Sequence, residues 1–340
     1  MSGNDGRAQH MTDLPLTLTA ADYARLMPLV SGAVKPAGID LTLLLGREGS
    51  WPMRAEMLRR AGGDPAVHGG ESSMAGHLRR IEAGDRSLVA LPVFPLRNFT
   101  GRDLYVRKGG AVRTPADLRG KRVGMYDWVA SGSIWYRHFL NFIGVLPADL
   151  HWTVGEVDGA RITNHAYTLP EGVRAAARPL SEMLINGELD AIYSPPRPHR
   201  YHPVDGPIVR LFPDIRGTER DYFRRTGMFP PQHLIVLKRP VWEAHKWIAR
   251  SLTDAFIRAT DVFAKAQRNF PYVSPWLDAE LEETEALMGA DFHADGFEKN
   301  RATIEVFSEQ ARALGIISRR ITAEEYFAEY LDSPERGGAP

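Results

Sequence analysis

Cysteine is absent from the 340 residues. That excludes a disulfide scaffold, thiolate zinc and iron–sulfur sites, a cysteine nucleophile and a lipid anchor on an N-terminal cysteine. Net charge is missing too, since 42 Lys+Arg balance 42 Asp+Glu. The usual electrostatic case for a nucleic-acid or membrane-surface partner therefore falls away. No apolar stretch approaches the roughly 18 residues of a spanning helix. The opening MSGNDGRAQHMTDLPLTLTAADY shows no basic segment followed by an apolar one, so no secretory signal is expected and the chain reads as cytoplasmic. Gly-rich phosphate loops, His-Glu-x-x-His and Gly-x-Ser-x-Gly are all lacking.

What remains is an ordinary globular composition, 44% hydrophobic and 25% charged, in a chain long enough for two cores. Strands are expected at Leu14–Thr19, Ile39–Leu45, Pro65–His68, Leu88–Val93, Lys121–Tyr126, His151–Val157, Asp190–Tyr193 and His233–Leu237. Helices are expected at Trp51–Ala61, Ser131–Ile143 and Pro179–Asn186. A long helix, Val241–Gln267, breaks near Phe270-Pro271, and Asp278–Met288, Gly296–Leu314 and Thr322–Tyr330 follow as helices. Alternating strand and helix predicts an α/β protein with parallel strands. Residues 1–12 and 333–340 read as loose tails.

An internal echo suggests two similar lobes. Glu56-Met57-Leu58 with Asp64 recurs as Glu182-Met183-Leu184 with Asp190, 126 residues on, each ahead of a short strand. In open α/β sheets ligands sit beyond the carboxyl ends of the strands. This rule singles out His68, Glu71 and Ser73 in the first lobe and the Ser194–His202 segment, with Arg197, in the second. Ser131 and Ser133 open a helix, whose N-terminus suits an anion; an ordinary cap explains them equally.

The blocks Glu71-Ser72-Ser73, Pro92-Val93-Phe94-Pro95-Leu96-Arg97, Thr114–Val123 and Gly227-Met228-Phe229-Pro230-Pro231-Gln232-His233 carry a family likeness. The chain resembles the 4,5-dihydroxyphthalate decarboxylase-like proteins, of the type II periplasmic-binding-protein fold, over about residues 14–265. The resemblance implies a two-lobed fold with a cleft: lobe I from residues 13–100 and 230–332, and lobe II from 101–229. It also implies non-oxidative decarboxylation of a hydroxylated aromatic dicarboxylate. One departure stands out. The family's basic Arg-His pair after Arg-x-Phe is here Thr100-Gly101.

Such a reaction needs a base for the phenol, an acid for the ring carbon and a cation for the carboxylate that stays. Glu71 is the expected base or phenol-binding carboxylate, with a helix cap as the structural alternative. His233 is the expected proton donor, with a hinge hydrogen bond as the alternative. Arg97 is the expected carboxylate clamp, against a hinge salt bridge. Arg137 is expected in a lobe-surface ion pair. His68, Ser73, Ser131, Ser133 and Arg197 are the further ligand contacts. His199 and His202 have metal-like spacing, but Pro195, Pro196, Pro198 and Pro203 forbid the helix that would use it. Trp128, Trp135 and Trp152 suit either a stacked aromatic ligand or the core. No cofactor or metal ligand set is expected, although a divalent ion is compatible with the chemistry. The expected partner is a small aromatic carboxylate; monomer and homodimer both fit. A non-catalytic binding protein for such a carboxylate is the alternative.

Overall fold

The computed structural model describes residues 13–46, 50–159, 167–269 and 274–336. The expected loose segment 1–12, the last four residues and the helix break at Phe270-Pro271 lie outside the described residues.

The chain enters through β1 (Leu14–Ala21) and a short helix α1 (Met27–Val30), then β2 (Ile39–Gly46) and α2 (Trp51–Gly63). It continues through β3 (Gly69–Ser73), α3 (Met74–Glu82) and β4 (Leu88–Leu91) before crossing to a second sheet. That sheet comprises β5 (Leu104–Arg107), β6 (Arg122–Met125), β7 (His151–Val154), β8 (Arg174–Ala175), β9 (Ala191–Tyr193) and β10 (Ile208–Arg210). Its helices are α4 (Ser131–Phe142), α5 (Leu180–Ile185) and α6 (Ile215–Thr226). The chain then returns to the first sheet as β11 (His233–Lys238). The end of the chain is helical: α7 (Arg239–Ala244), α8 (Ile248–Asn269), α9 (Leu277–Met288), α10 (Phe297–Ala313), α11 (Ala323–Tyr326) and α12 (Ala328–Leu331). The helix expected over 241–267 is thus two, α7 and α8, with a turn at His245. The last expected helix also divides, at Phe327.

The sheets run β2-β1-β3-β11-β4 and β10-β5-β9-β6-β7-β8. Each holds three parallel strands with the third beside the first, β1-β2-β3 in one and β6-β7-β9 in the other. Each is then flanked by an antiparallel strand entered from a crossing segment, β11 or β5. This is the two-lobed α/β fold, and the crossings meet at an isolated bridge between Arg97 and Pro231.

The sequence echo falls on the equivalent strands β3 and β9, but their registers differ. In the second copy the strand starts at Ala191, directly after Asp190, whose carboxylate accepts from Arg122 N at 3.0 Å. In the first copy Asp64 accepts from Ala66 N at 2.9 Å and closes a turn. The expected strand at 65–68 is therefore a turn, and β3 starts only at Gly69. The sequence Gly-Gly-Glu-Ser-Ser lacks a strand's apolar alternation because its neighbours crowd it. A Cβ on Gly69 would lie 2.1 Å from Val236 O; Gly70, at φ 150°, has the Thr19 backbone as close as 2.4 Å.

The lobe I core gathers Leu16, Leu18, Leu78, Val89, Ile235, Leu237, Phe256 and Phe307. Lobe II gathers Leu104, Val123, Met125, Phe139, Leu140 and Tyr193. One helix belongs to both. From α4, Ile134 and Trp135 are buried in the lobe I core, and Trp135 Nε1 donates to Pro231 O at 2.6 Å, its ring 5.4 Å from that of Phe307. The C-terminal residues are packed through Arg336 rather than loose from 333. Ser333 is buried and accepts from Trp242 Nε1 at 2.9 Å, and Arg336 lies over the Trp247 ring. No described helix is long and apolar enough to cross a membrane.

Candidate functional site

β11 pairs with β3 so that His233 faces Ser73 and Ile235 faces Glu71. Residues opposite each other share a sheet face, so Glu71, Ser73 and His233 project together. The Glu71 carboxylate lies at the cleft-facing end of the lobe I sheet, 1% exposed. Its Oε1 accepts the Tyr23 hydroxyl at 2.5 Å and lies 2.5 Å from His233 Nδ1; Oε2 accepts Ala21 N at 2.8 Å. Burial alone would raise the Glu71 carboxyl. The hydrogen bond and charge of His233, with the donors Tyr23 and Ala21, outweigh it and hold the group below its ordinary value. An ionised carboxylate only accepts, so Nδ1 of His233 carries the proton and Nε2 is left for another partner. Burial, then the Glu71 charge, raises the Tyr23 phenol well above its usual range, and Arg54 lies 5.2 Å over its ring.

Lobe II meets this group at the start of α4. Ser131 Oγ lies 3.0 Å from Ser73 Oγ and accepts Ala75 N at 3.0 Å, so the first turns of α3 and α4 abut across the cleft. Both helix N-termini favour negative charge there. Gly132 leaves room beside Tyr193, Gln232 and Tyr126: a Cβ would meet their oxygens at 2.9, 3.3 and 3.3 Å.

The structure therefore brings Glu71, His233, Ser73 and Ser131 together, but Glu71 is a strand residue beneath Tyr23 and His233, neither a helix cap nor an exposed base. Ser73 is the cap of α3, accepting Gly76 N at 3.2 Å. His68 is a correction. It precedes β3, at the end of the sheet away from the cleft, and its Nδ1 accepts Thr17 N at 2.9 Å. Ser133 is fully buried and its hydroxyl donates to Asp127 O at 2.5 Å. Arg97 is no clamp. Its terminal nitrogens donate to Phe229 O at 3.1 Å, Ala294 O at 2.9 Å and Asn300 Oδ1, which ties the first crossing to the C-terminal helices. Arg197 is exposed, 5.3 Å over the Tyr201 ring.

Arg137 corrects a further expectation. It is wholly buried, 4.2 Å over Trp128, with Nε donating to Ser133 O at 2.9 Å and another nitrogen to Trp128 O. Burial lowers its pKa to about 9. Trp128 and Trp152 pack edge to face 5.7 Å apart, so with Trp135 they are core residues. His202 Nδ1 accepts Val204 N and Asp205 N within its own exposed loop. Among the described residues no group of three His, Asp or Glu is placed to hold a metal ion.

Tyr23, Arg54, Gln232 and Tyr126 were missed. The rule that selected residues after the third strands also applies to the first strand of each lobe. In lobe II it points to Tyr126 just past β6, which is not among the expected contacts; in lobe I it would have found Tyr23 just past β1.

No protein-family model matches the chain. Among curated proteins, it is 30% identical over 326 residues to 4,5-dihydroxyphthalate decarboxylase of Comamonas testosteroni, covering 93% of this chain and 97% of that one. It is 30% identical over 220 residues to 4,5-dihydroxyphthalate decarboxylase of Pseudomonas putida, covering 63% of this chain and 83% of that one. Among solved structures, a periplasmic sulfonate-binding protein of Methylobacillus flagellatus superposes with a TM-score of 0.51 at 9% identity, over 94% of both chains. The desulfurization enzyme DSZB superposes with 0.51 at 16% identity, over 94% of this chain and 99% of that one. At these identities the likeness is one of fold.

Proposed function

Because the chain belongs to the 4,5-dihydroxyphthalate decarboxylase family, a family of carboxy-lyases, we propose that it decarboxylates a hydroxylated aromatic dicarboxylate such as 4,5-dihydroxyphthalate to a catechol acid and CO2. The observation that carries this reading is the Tyr23–Glu71–His233 cluster on lobe I beside the Ser73–Ser131 contact that joins it to lobe II.

His233, its Nδ1–H held by Glu71, gives the Nε2 proton of its imidazolium to the ring carbon that bears the departing carboxylate. The carbon–carbon bond then breaks, its electron pair restores the aromatic ring, and CO2 leaves. One proton is consumed, and the 14% exposure of the His233 side chain gives it a route back from solvent. The para hydroxyl of the ligand pushes charge toward the protonated carbon, and the Tyr23 oxygen, whose own proton goes to Glu71, would accept that hydroxyl's O–H. The hydroxyl of Ser131 and the first amides of α4 suit the carboxylate that stays. Glu71 acts as a positioning residue, the orienting third group of a catalytic cluster.

A binding protein for an aromatic carboxylate is the second reading, and one feature favours it. Where the family carries its basic pair, Gly101 has no room for a side chain: a Cβ would meet Phe139 at 2.8 Å and Ile215 at 3.3 Å. The test is incubation with 4,5-dihydroxyphthalate, with and without EDTA, and mass spectrometry for the catechol acid. His233→Ala is expected to lower turnover by about 100-fold or more while ligand still raises the melting temperature. Loss of binding together with turnover refutes the proton-donor role. EDTA sensitivity would add a metal ion to the reaction.

A further inference from the structure

Lobe II carries an acid that the reaction above does not use. Asp103 ends the first crossing, directly before β5, level with Ser194, whose N–H donates to Asp103 O at 3.0 Å. Leu104 pairs with Tyr193, the last residue of β9. Asp103 thus sits at the carboxyl edge of the lobe II sheet, the edge from which Tyr126 and α4 also depart toward the cleft. Its side chain is only 9% exposed. Its carboxyl makes no hydrogen bond among the described residues, and the cation paired with it, Arg102 Nε, stands 3.8 Å away. A buried carboxyl without donors is poorly suited to ionisation.

The surroundings bear this out from every side. Burial is the main influence and pushes the Asp103 carboxyl up to about 8. Glu219 of α6 adds to the rise. Arg102, Arg210 of β10 and Arg197 of the second crossing oppose it. Tyr105, Tyr126 and Tyr193 share its field. Glu219 is itself pushed up to about 7, burial again leading. The Asp103 carboxyl, pushed up to about 8, finds no hydrogen-bond partner among the described residues.

We propose that Asp103 is a neutral carboxyl with which lobe II donates a hydrogen bond to an anionic oxygen of the bound aromatic carboxylate. The ligand class rests on the function proposed above; the protonated state does not. Ionisation of Asp103 would replace the donated bond with repulsion between two anions. Binding would then weaken as pH rises through about 8.

Two measurements test this. The first needs no ligand. An unfolded aspartate ionises near 4, whereas folded Asp103 keeps its proton to about 8, so between those values the folded state binds the extra proton and loses stability as pH rises. Asp103→Asn removes that loss, and its melting temperature relative to wild type should climb steadily from pH 5 to pH 8. A constant difference overturns the protonated state. The second is calorimetric titration with phthalate, whose two carboxylates are ionised throughout the range used. Wild-type affinity should fall about tenfold between pH 7 and pH 9, and Asp103→Asn, which keeps a donor, should stay within twofold. An equal fall in both proteins, or no binding by either, overturns the contact. Phthalate binding with the expected pH dependence but no decarboxylation of the hydroxylated substrate would sink the proposed reaction alone.

Discussion

Glu71→Gln tests the central cluster most sharply, because it keeps the shape and removes one charge and one acceptor. Three donors converge on the Glu71 carboxylate. The amide has one oxygen. Placed toward Tyr23 and His233, it turns its NH2 on Ala21 N–H, leaving a buried donor unsatisfied at a cost of about 2 kcal/mol. The two bonds that remain lose their charge assistance, at about 1 kcal/mol each. The sum is about 4 kcal/mol. At ~2.1 cal/mol/K per residue, a chain of this length unfolds with about 0.7 kcal/mol/K of entropy, so the melting temperature should drop by about 6 °C. Only the His233 share of about 1 kcal/mol reaches the chemistry, and 1.4 kcal/mol is tenfold in rate, so kcat/KM should fall by roughly fivefold. The assays are scanning calorimetry and timed product formation by mass spectrometry. A variant within 1 °C and twofold of wild type would refute both the geometry and the positioning role.

The same carboxylate sets an acid limit. Its folded pKa is depressed, so the stability it contributes is present above the unfolded value near 4.5 and is lost as pH falls through the folded value. The stability gap between wild type and Glu71→Gln, measured by urea unfolding, should therefore close as pH drops below about 4.5; a widening gap contradicts the sign. Trp135→Ala should cost about 3–5 kcal/mol, and Trp135→Phe about 1–3 kcal/mol for the unpartnered Pro231 carbonyl. Denaturant titration checks both, and an unchanged midpoint would show that α4 does not brace lobe I. Gly101→Ala should destabilise by about 1–3 kcal/mol through its clash with Phe139, read as a lowered melting temperature. A neutral result would mean that the crossing has room for the family's basic side chain.

The alternation of strand and helix made the α/β class and the paired lobes legible, because the parallel strands β1, β2, β6 and β9 are apolar runs whose burial the pattern encodes. β3 was not legible. Its residues are small and polar because neighbouring backbones approach them closely, a tertiary constraint that leaves no periodic signal. That shifted the strand by four residues and made His68 look like a cleft residue. Glu71 and His233 were found from their blocks, but their contact depends on an antiparallel pairing across 162 residues that no local pattern announces. Arg97 and Arg137 misled for a common reason. A cation in a sequence looks available, and only packing shows that backbone carbonyls have already claimed it.

The dual membership of α4 bears on how reactant and product pass in and out. Swinging the lobes apart as rigid bodies would draw the Trp135 indole from the lobe I core, exposing roughly 200 Å² of apolar surface at a cost of about 5 kcal/mol. The wall that carries Ser131 is therefore expected to stay put, which leaves local motion of a crossing loop, such as the one over 194–206, as the way in and out. Under the proposed reaction CO2 escapes at once, whereas an aromatic acid must wait for the loop to shift. Evolution of CO2 should then begin with a rapid first turnover, and exit of the ring product should set the pace afterwards.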